Sequence, residues 1–157
     1  MKPKQILFLC TGNYYRSRFA ELLFNHLAPQ NGLPWRATSR GLALELGAHN
    51  VGPIAIETVE RLTLRGVQLP GETRFPLPVL ESDLAESDHI VALKRGEHLP
   101  LLVRSFPRWV ERVEFWGVHD RDVALPDETF DDIERNLTEL LDRLRSAELR
   151  APARSGR

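Results

Sequence analysis

A thiol and a guanidinium, separated by five residues, stand near the start of the chain. Cys10 ends an apolar stretch, and Arg16 follows after a short polar loop. Gly12 lets the backbone approach a bound anion closely, and Asn13 tolerates a left-handed turn, so successive loop N–H groups can point at one oxyanion. The spacing therefore predicts a nucleophilic sulfur beneath a cradle for a tetrahedral anion.

Chemical roles for three side chains follow from this arrangement. A loop that opens onto a helix N-terminus carries a positive field, which favours Cys10 as a thiolate. The planar fork of Arg16 can bind two equatorial oxygens of a phosphoryl group and neutralise charge as that group is transferred. Ser17 can donate its hydroxyl to the sulfur and help the sulfur leave when a thiophosphate is hydrolysed.

Strand and helix patterns place this loop at one edge of a sheet. Residues 5–10 are apolar on both sides of the pleat, which is typical of a parallel strand with both faces covered. After Arg16 the apolar side chains recur at helical spacing and stop before Pro29. Ligands of open α/β sheets bind beyond the carboxyl ends of the strands, which is where Cys10 lies.

Further strands and helices alternate along the chain. Strands are predicted at residues 35–41, 89–93 and 113–116, and helices at residues 53–65, at residues 99–103 and from Asp127 onward. Residues 66–80, which are rich in proline and glycine, are expected to form a loop. This alternation predicts one small α/β domain with a parallel sheet over residues 1–149, followed by a flexible tail at residues 150–157.

Composition excludes several classes of protein. The 157 residues carry 21 Lys+Arg and 22 Asp+Glu, so the chain lacks the basic surplus that binding to a nucleic-acid backbone needs. No apolar run approaches the roughly 20 residues that cross a bilayer. Cys10 is the single cysteine, which excludes an intrachain disulfide and a Cys-rich zinc site. We expect a cytoplasmic protein with no metal or cofactor and no nucleic-acid or membrane partner; the oligomeric state stays open.

The loop and its flanks resemble the signature of low-molecular-weight protein tyrosine phosphatases, whose relatives include thioredoxin-linked arsenate reductases. The similar residues are Leu9-Cys10-Thr11-Gly12-Asn13, Arg16-Ser17 and Ala20-Glu21, with weaker similarities at Trp35, Ser39, Gly41, Val51-Gly52, Arg95 and Glu97-His98. The resemblance implies a four-stranded parallel sheet in a three-layer α/β/α sandwich, with the phosphate-binding loop between the first strand and the first helix. It also implies metal-free phosphoryl transfer in two steps, through a cysteinyl-phosphate.

The chain departs from that family in its loop and in its acid motif. Tyr15 stands where the family often has a second cysteine, so the protective disulfide is absent. Arg18 replaces a usual proline, and Glu72 lies near the place of a loop-bracing histidine. The general-acid motif, usually Asp-Pro followed by aromatic residues, is His-Asp-Arg-Asp at residues 119–122. Without those aromatic residues, a preference for phosphotyrosine stays open.

Two carboxyl groups can serve as the general acid. A leaving phenolate has a conjugate acid with a pKa of about 10, so its protonation in the transition state needs a donor at the pocket edge. Asp120 and Asp122 can each supply the proton. We favour Asp120 because its spacing from Trp116, at the end of the last strand, matches the family pattern better.

The phosphate-binding and bracing residues are expected to be Thr11, Gly12, Asn13, Tyr14, Tyr15, Ser17 and Ser39. The resemblance implies that Ser39 braces Asn13 through hydrogen bonds, although it can equally be a residue of the sheet end alone. Tyr14 and Tyr15 form either a wall that stacks on a substrate ring, with Tyr14 the better candidate, or one exposed and one packed aromatic residue. His49 stands roughly where the family has a wall residue, yet a lone histidine is more often a surface or capping group.

Three functions are compatible with this pattern. The first is a cysteine-dependent phosphomonoesterase that acts on a phosphorylated protein or a small aryl phosphate. The second is arsenate reduction, which would need an external thiol because Cys10 has no partner in the chain. The third is a module that binds a phosphorylated ligand without turnover. The intact pair of Cys10 and Arg16 favours an enzyme.

Overall fold

The computed structural model describes residues 2–151, which form a four-stranded sheet with helices on both faces. The elements are β1 (Lys4–Cys10), α1 (Arg16–Gln30), β2 (Trp35–Gly41), α2 (Ile56–Leu64), α3 (Glu81–Glu86), β3 (His89–Ala92), α4 (Arg95–Ser105), β4 (Val113–Phe115) and α5 (Pro126–Arg150). Short 3₁₀ segments lie at Leu44–Gly47 and Pro107–Arg112. The strand order is β2-β1-β3-β4, and all pairs are parallel.

The central strand β1 divides the core into two halves. Ile6 and Phe8 point to one face, where they pack with side chains of α1, α2 and α5. Leu7 and Leu9 point to the opposite face and pack with side chains of α3 and α4. Burial on both sides explains why the strand is continuously apolar. The predicted three-layer α/β/α sandwich with a four-stranded parallel sheet is confirmed.

Backbone hydrogen bonds gather three loops at the carboxyl edge of the sheet. Beyond β4, the Trp116 N–H donates to the Ala92 carbonyl at 2.9 Å, and the Val118 N–H donates to the Leu93 carbonyl at 2.8 Å. At the start of α4, the Arg95 N–H donates to the Trp116 carbonyl at 2.9 Å. Together with the bond from the Leu93 N–H to the Leu9 carbonyl at 3.0 Å, these bonds bring the loop after β4 and the first turn of α4 beside the end of β1, where the loop to α1 begins.

Helix α1 differs from the prediction because it runs through a proline, and α4 also contains one. Helix α1 continues through Pro29, and α4 continues through Pro100. A proline removes one hydrogen bond from the helix ladder, and packing of the remaining turns can outweigh that loss. Helix α4 is also longer than the predicted residues 99–103, because His98 and Leu102 are fully buried and anchor its inner face.

Helix α3 lies where no helix is predicted. It has six residues, too few to show a helical period in the sequence. Its first turn is closed by the Asp83 carboxylate, which accepts a hydrogen bond from the Leu80 N–H at 2.8 Å. Leu84 is fully buried and fixes the helix against the sheet. A single cap and a single anchor therefore suffice for this helix.

The last helix, α5, carries the clearest apolar stripe and ends at Arg150. Most of the predicted tail, residues 152–157, lies outside the described residues. Within residues 2–151, none of the helices combines the length and the apolar character that a bilayer crossing requires.

Candidate active site

A small pocket surrounds the loop that joins β1 to α1. Its volume of about 80 Å³ equals that of roughly three water molecules, which suits a tetrahedral oxyanion. The loop contributes Cys10, Thr11, Gly12, Tyr14, Tyr15 and Arg16; the segment after β2 contributes Leu46, Gly47, His49 and Asn50; and the loop after β4 contributes Asp120 and Arg121. Among residues 2–151, no three His, Cys, Asp or Glu side chains are grouped so as to hold a metal ion.

The sulfur of Cys10 and the hydroxyl of Ser17 are in contact at the base of this pocket. The Cys10 Sγ lies 2.9 Å from the Ser17 Oγ, and both residues are buried. Asn13 adopts a φ of 52°, the left-handed conformation expected of it, and its Nδ2 donates to the Ser17 Oγ at 2.8 Å. Because Ser17 accepts from Asn13, its own hydrogen is free to point at the sulfur.

Ser39 reaches the loop from the neighbouring strand, β2. The Asn13 Nδ2 also donates to the Ser39 Oγ at 2.9 Å, and the Ser39 hydroxyl donates to the Glu21 carboxylate at 2.7 Å. Glycine at position 41 allows this approach, since a Cβ there would lie 2.9 Å from the Thr11 carbonyl oxygen. The hydrogen bond that the resemblance implies between Ser39 and Asn13 is therefore present.

Arg74, which the sequence analysis missed, braces the same asparagine. Its Nη1 donates to the Asn13 Oδ1 at 3.0 Å, and its Nη2 donates to the Ser39 carbonyl at 2.9 Å and to the Glu21 carboxylate at 3.1 Å. The brace expected near Glu72 is thus a guanidinium two residues further on, while Glu72 itself is exposed. A guanidinium has enough donors to hold all three acceptors at once, which an imidazole lacks.

Arg18, in the place of the usual proline, is buried beneath the loop with 2% of its surface exposed. Its guanidinium donates to the Pro53 carbonyl at 3.0 Å and to the Arg74 carbonyl at 2.9 Å. Burial and the nearby charge of Arg74 lower the pKa of Arg18 to about 10, so the group stays charged at neutral pH. Arg18 therefore ties two outer segments to the base of the loop.

Arg16 is almost fully buried, and its guanidinium is held from two sides. Nη1 donates to the Val118 carbonyl at 3.1 Å, and Nη2 lies 3.4 Å from an Asp120 carboxylate oxygen. Both Nη atoms also contact the Glu97 carboxylate. Burial opposes the charge, but Cys10 and the carboxylates of Glu97 and Asp120 outweigh it and raise the pKa of Arg16 above its ordinary value.

Glu97 and His98, at the start of α4, form a network that the sequence analysis noted only as a family similarity. The Glu97 carboxylate accepts a hydrogen bond from the Thr11 hydroxyl. The His98 Nε2 lies 3.0 Å from the Glu97 Oε2 and forms a hydrogen bond with the Thr11 Oγ1 at 3.2 Å. Burial disfavours the charged carboxylate, but the bonds from His98, Arg16 and Thr11 outweigh it and hold the pKa of Glu97 well below its usual range. The side chain of Thr11 thus faces this network.

The two candidate acids lie in different places. Asp120 lines the pocket beside Arg16, whereas Asp122 lines a wider neighbouring cavity together with Glu97 and His49. Between them in sequence, Arg121 covers the rim, with its guanidinium carbon 5.7 Å from the Tyr14 ring centroid. The structure thus brings Asp120, and not Asp122, to the pocket that contains the thiol.

Neither tyrosine of the loop is exposed. The Tyr14 hydroxyl donates to the Val51 carbonyl at 2.5 Å, and one side of Tyr14 lines the pocket. Tyr15 packs against Phe130 with ring centroids 5.2 Å apart, and burial raises its pKa to about 12. The interpretation with one exposed ring is therefore wrong, and the rings of Tyr14, Tyr15 and His49 all line the pocket.

Comparisons with known proteins agree with this geometry. A sequence profile of the family described as "Low molecular weight phosphotyrosine protein phosphatase" matches residues 5–150. A protein-arginine-phosphatase of Bacillus subtilis is 29% identical over 110 residues, which cover 69% of this chain and 67% of that protein. An arsenate reductase of Brevibacillus brevis is 33% identical over 118 residues, 74% of this chain and 76% of that protein.

The low molecular weight protein-tyrosine-phosphatase YfkJ of Bacillus subtilis is similar in both sequence and structure. The two sequences are 36% identical over 90 residues, 56% of this chain, and the matched part spans about half of that relative, 54% of its length. The crystal structure of YfkJ superposes with a TM-score of 0.79 over 93% of this chain and 97% of that one, at 25% identity. The chain therefore belongs to the low molecular weight phosphotyrosine protein phosphatase family.

Proposed function

We propose that this phosphatase hydrolyses phosphomonoesters through a cysteinyl-phosphate, with Cys10 as nucleophile, Arg16 as phosphate ligand and Asp120 as general acid. The observation that carries the proposal is the convergence of these three groups on one pocket of oxyanion size. The Ser17 hydroxyl, 2.9 Å from the sulfur, completes the set. Substrates of this class are phosphorylated proteins and small aryl phosphates, and we place the protein in the cytoplasm, where a lone thiol stays reduced.

In the first step the Cys10 thiolate attacks phosphorus, and the sulfur–phosphorus bond forms as the bond to the leaving oxygen breaks. Asp120 gives its proton to that oxygen, so the product leaves as a neutral alcohol or phenol. Arg16 and the backbone N–H groups of the loop hold the three remaining oxygens and neutralise their charge. No metal is required for this charge balance.

In the second step a water molecule attacks the phosphorus of the cysteinyl-phosphate. Asp120, now a carboxylate, takes a proton from the water as the new phosphorus–oxygen bond forms. The sulfur–phosphorus bond breaks, and the sulfur leaves as a thiolate that accepts a hydrogen bond from the Ser17 hydroxyl. Inorganic phosphate is then released and the starting state is restored.

Substrate contacts beyond the phosphate are proposed at the pocket wall. Tyr14 offers an aromatic ring at the pocket wall, and His49, on the segment after β2, also lines the pocket. The positive charge of Arg121 lies at the rim, with 37% of its side chain exposed. This rim fits an aromatic leaving group with a neighbouring negative charge, such as a phosphorylated side chain in an acidic protein segment.

Hydrolysis of p-nitrophenyl phosphate in the presence of EDTA, between about pH 4.5 and 8, tests the proposal. We expect turnover that resists EDTA and is lost in Cys10→Ser and Arg16→Ala. A folded wild-type protein without turnover would contradict it. Consumption of an external thiol only when arsenate is added would then indicate an arsenate reductase, and phosphopeptide binding without turnover would indicate a binding module.

A further inference from the structure

We propose that Glu97 is a positioning residue, which fixes the Arg16 guanidinium so that one edge of it faces the phosphoryl group, and that His98 holds Glu97 in place. The inference rests on the proposed function, because it assigns Arg16 to the phosphate. It adds a carboxylate and an imidazole from α4 to the residues of the site. Glu97 lies 81 residues after Arg16 in the sequence.

The contacts between the two side chains define which edge of the guanidinium is free. Glu97 Oε1 lies 3.4 Å from the Arg16 Nη1, and Oε2 contacts Nη2, so the carboxylate spans the end of the guanidinium. The Val118 carbonyl occupies a further position on Nη1. Among residues 2–151, the Arg16 Nε has no hydrogen-bond acceptor. Nε and Nη2 therefore form the edge that is left for two phosphoryl oxygens, and the Asp120 oxygen that lies 3.4 Å from Nη2 must give way to one of them.

The environment of Glu97 keeps this carboxylate in one orientation. The Thr11 hydroxyl donates to it in addition to Arg16, and the His98 Nε2 lies 3.0 Å from Oε2 while it forms a hydrogen bond with the Thr11 Oγ1 at 3.2 Å. With two donor side chains on its oxygens and the imidazole beside them, the carboxylate cannot rotate without breaking hydrogen bonds. Thr11 follows Cys10 directly, so the same contact links the loop that carries the nucleophile to the residue that orients the phosphate ligand.

The tautomer of His98 is fixed by its second nitrogen. The backbone N–H of Lys94 donates to the His98 Nδ1 at 3.0 Å, so Nδ1 carries no hydrogen and the hydrogen of the neutral ring is on Nε2. That hydrogen points at the Thr11 Oγ1, 3.2 Å away, which itself donates to Glu97, and Nε2 also lies 3.0 Å from the Glu97 Oε2. His98 is fully buried. It therefore acts as a fixed donor at the base of α4, and its role is to hold the carboxylate.

A fixed guanidinium matters most in the transition state. The ground-state dianion is also held by the loop backbone and by the start of α1, whereas the planar, metaphosphate-like group needs two guanidinium donors in line with its equatorial oxygens. The negative charge of Glu97 also reduces the net attraction for free phosphate. Loss of Glu97 should therefore lower kcat strongly and leave the affinity for phosphate nearly unchanged.

The test compares Glu97→Gln with Glu114→Gln, a matched variant of a glutamate that also binds an arginine and a histidine but lies outside the pocket. We expect Glu97→Gln to lower kcat on p-nitrophenyl phosphate by about 10- to 100-fold, the size that a small misplacement of a catalytic group produces. The dissociation constant of inorganic phosphate, measured by calorimetry in the Cys10→Ser background, should change less than about threefold. Glu114→Gln should leave both values unchanged.

A second readout does not depend on turnover. NMR of isotope-labelled arginine side chains, with Arg16 assigned through Arg16→Lys, reports whether rotation of the guanidinium is hindered. We expect separate Nη signals in the wild type and in Glu114→Gln, and averaged signals in Glu97→Gln. If the wild type shows no turnover but the signals change in this way, the proposed function fails while the positioning role stands.

Two results would overturn the positioning role. The first is a kcat of Glu97→Gln within about twofold of the wild type, and the second is an unchanged set of Arg16 signals. If Glu97→Gln does not fold, Glu97→Asp serves in its place, because it keeps the charge but is too short to contact both Nη atoms. His98→Gln should show a smaller loss of kcat in the same direction. None of these variants is expected to restore hindered rotation of the Arg16 guanidinium.

Discussion

Glu97 and Glu114 make nearly the same contacts in two parts of the molecule, yet only one of them belongs to the site. Glu114, on β4, accepts from the His89 Nε2 at 3.1 Å and from the Arg143 guanidinium at 2.8 Å. For both glutamates, burial opposes the charge but donated hydrogen bonds outweigh it and lower the pKa. A glutamate with a lowered pKa that contacts a histidine and an arginine is therefore not sufficient to identify an active site.

The difference lies in the arginine and in its place on the sheet. The Arg143 side chain is 55% exposed and links α5 to the edge strand β4, where water can replace either partner. The Arg16 side chain is 2% exposed, and it lies at the carboxyl edge beside the thiol. Removal of one partner there leaves a poorly solvated charge that has lost its nearest counter-ion. Burial of the cation at a ligand-binding edge distinguishes the functional pair from the structural one.

The largest effect in this comparison is expected from removal of the arginines themselves. Arg16→Ala should lower kcat/KM on p-nitrophenyl phosphate by at least about 1,000-fold, the size of effect of an arginine that stabilises a transferring phosphoryl group. It should also lower the free energy of unfolding by about 3 kcal/mol or more, because Glu97 is left half-buried without its cation. Arg143→Ala should lower the free energy of unfolding by less than about 1 kcal/mol and should leave the activity unchanged. Equal losses of unfolding free energy in Arg16→Ala and Arg143→Ala, measured by urea denaturation, would contradict the distinction between the two pairs.

The next effect concerns the two aspartates that flank Arg121. Asp120→Asn should slow turnover of aryl phosphates by about 100-fold, the typical contribution of a general acid, and should flatten the acid-dependent limb of the pH–rate profile. Asp122→Asn should change turnover little, since that side chain lies at the neighbouring cavity. A pH–rate profile that is flattened only by Asp122→Asn would reverse the assignment.

A smaller effect is expected from the brace of the loop. Arg74→Ala removes three hydrogen bonds, to Asn13, Ser39 and Glu21, and should lower the free energy of unfolding by about 1–3 kcal/mol, because each such bond contributes roughly 0.5–1.5 kcal/mol. Glu72→Ala, at the exposed neighbour, should stay within about 0.5 kcal/mol of the wild type. Denaturant titration of the two variants checks the prediction, and a larger loss in Glu72→Ala would restore the sequence-based position of the brace.

Those parts of the site that lie within one short stretch could be predicted from the sequence. Cys10, Asn13, Arg16 and Ser17 occupy one loop and the first turn of its helix, so local spacing alone brings them together. The alternation of strands and helices likewise predicted a parallel sheet, and the family resemblance implied its four strands and the three-layer sandwich. Ser39 could be placed only through the family resemblance, because its contact with Asn13 crosses between strands.

The remaining groups depend on packing between distant parts of the chain. Thr11 and Glu97 are 86 residues apart, and Arg74 reaches Asn13 across 61 residues. No spacing rule connects such pairs, and each of them lies in a stretch where charged residues are common. The position of Glu97 at the first turn after β3, on the same sheet edge as Cys10, is the signal that a topological argument could have used.

The smallest effect is a pH dependence of stability, which isolates the histidine of the Glu97 network. Burial lowers the pKa of His98 below its ordinary value of about 6.5, and Arg16 adds to this shift while Glu97 opposes it. The unfolded chain therefore binds a proton below about pH 6.5 that the folded protein does not bind, so stability is full above this pH and falls as the pH decreases.

The slope reaches at most about 1.4 kcal/mol per pH unit for this one group. Urea unfolding between about pH 7.5 and 5 should show the decrease in the wild type, a flatter curve in His98→Gln, and an undiminished decrease in His89→Gln, because His98 is then still present. The window lies above the range where the glutamates take up protons. A curve that stays as steep in His98→Gln as in the wild type would mean that this imidazole is not held neutral beside Glu97, and the orientation of its Nε2 hydrogen would lose its support.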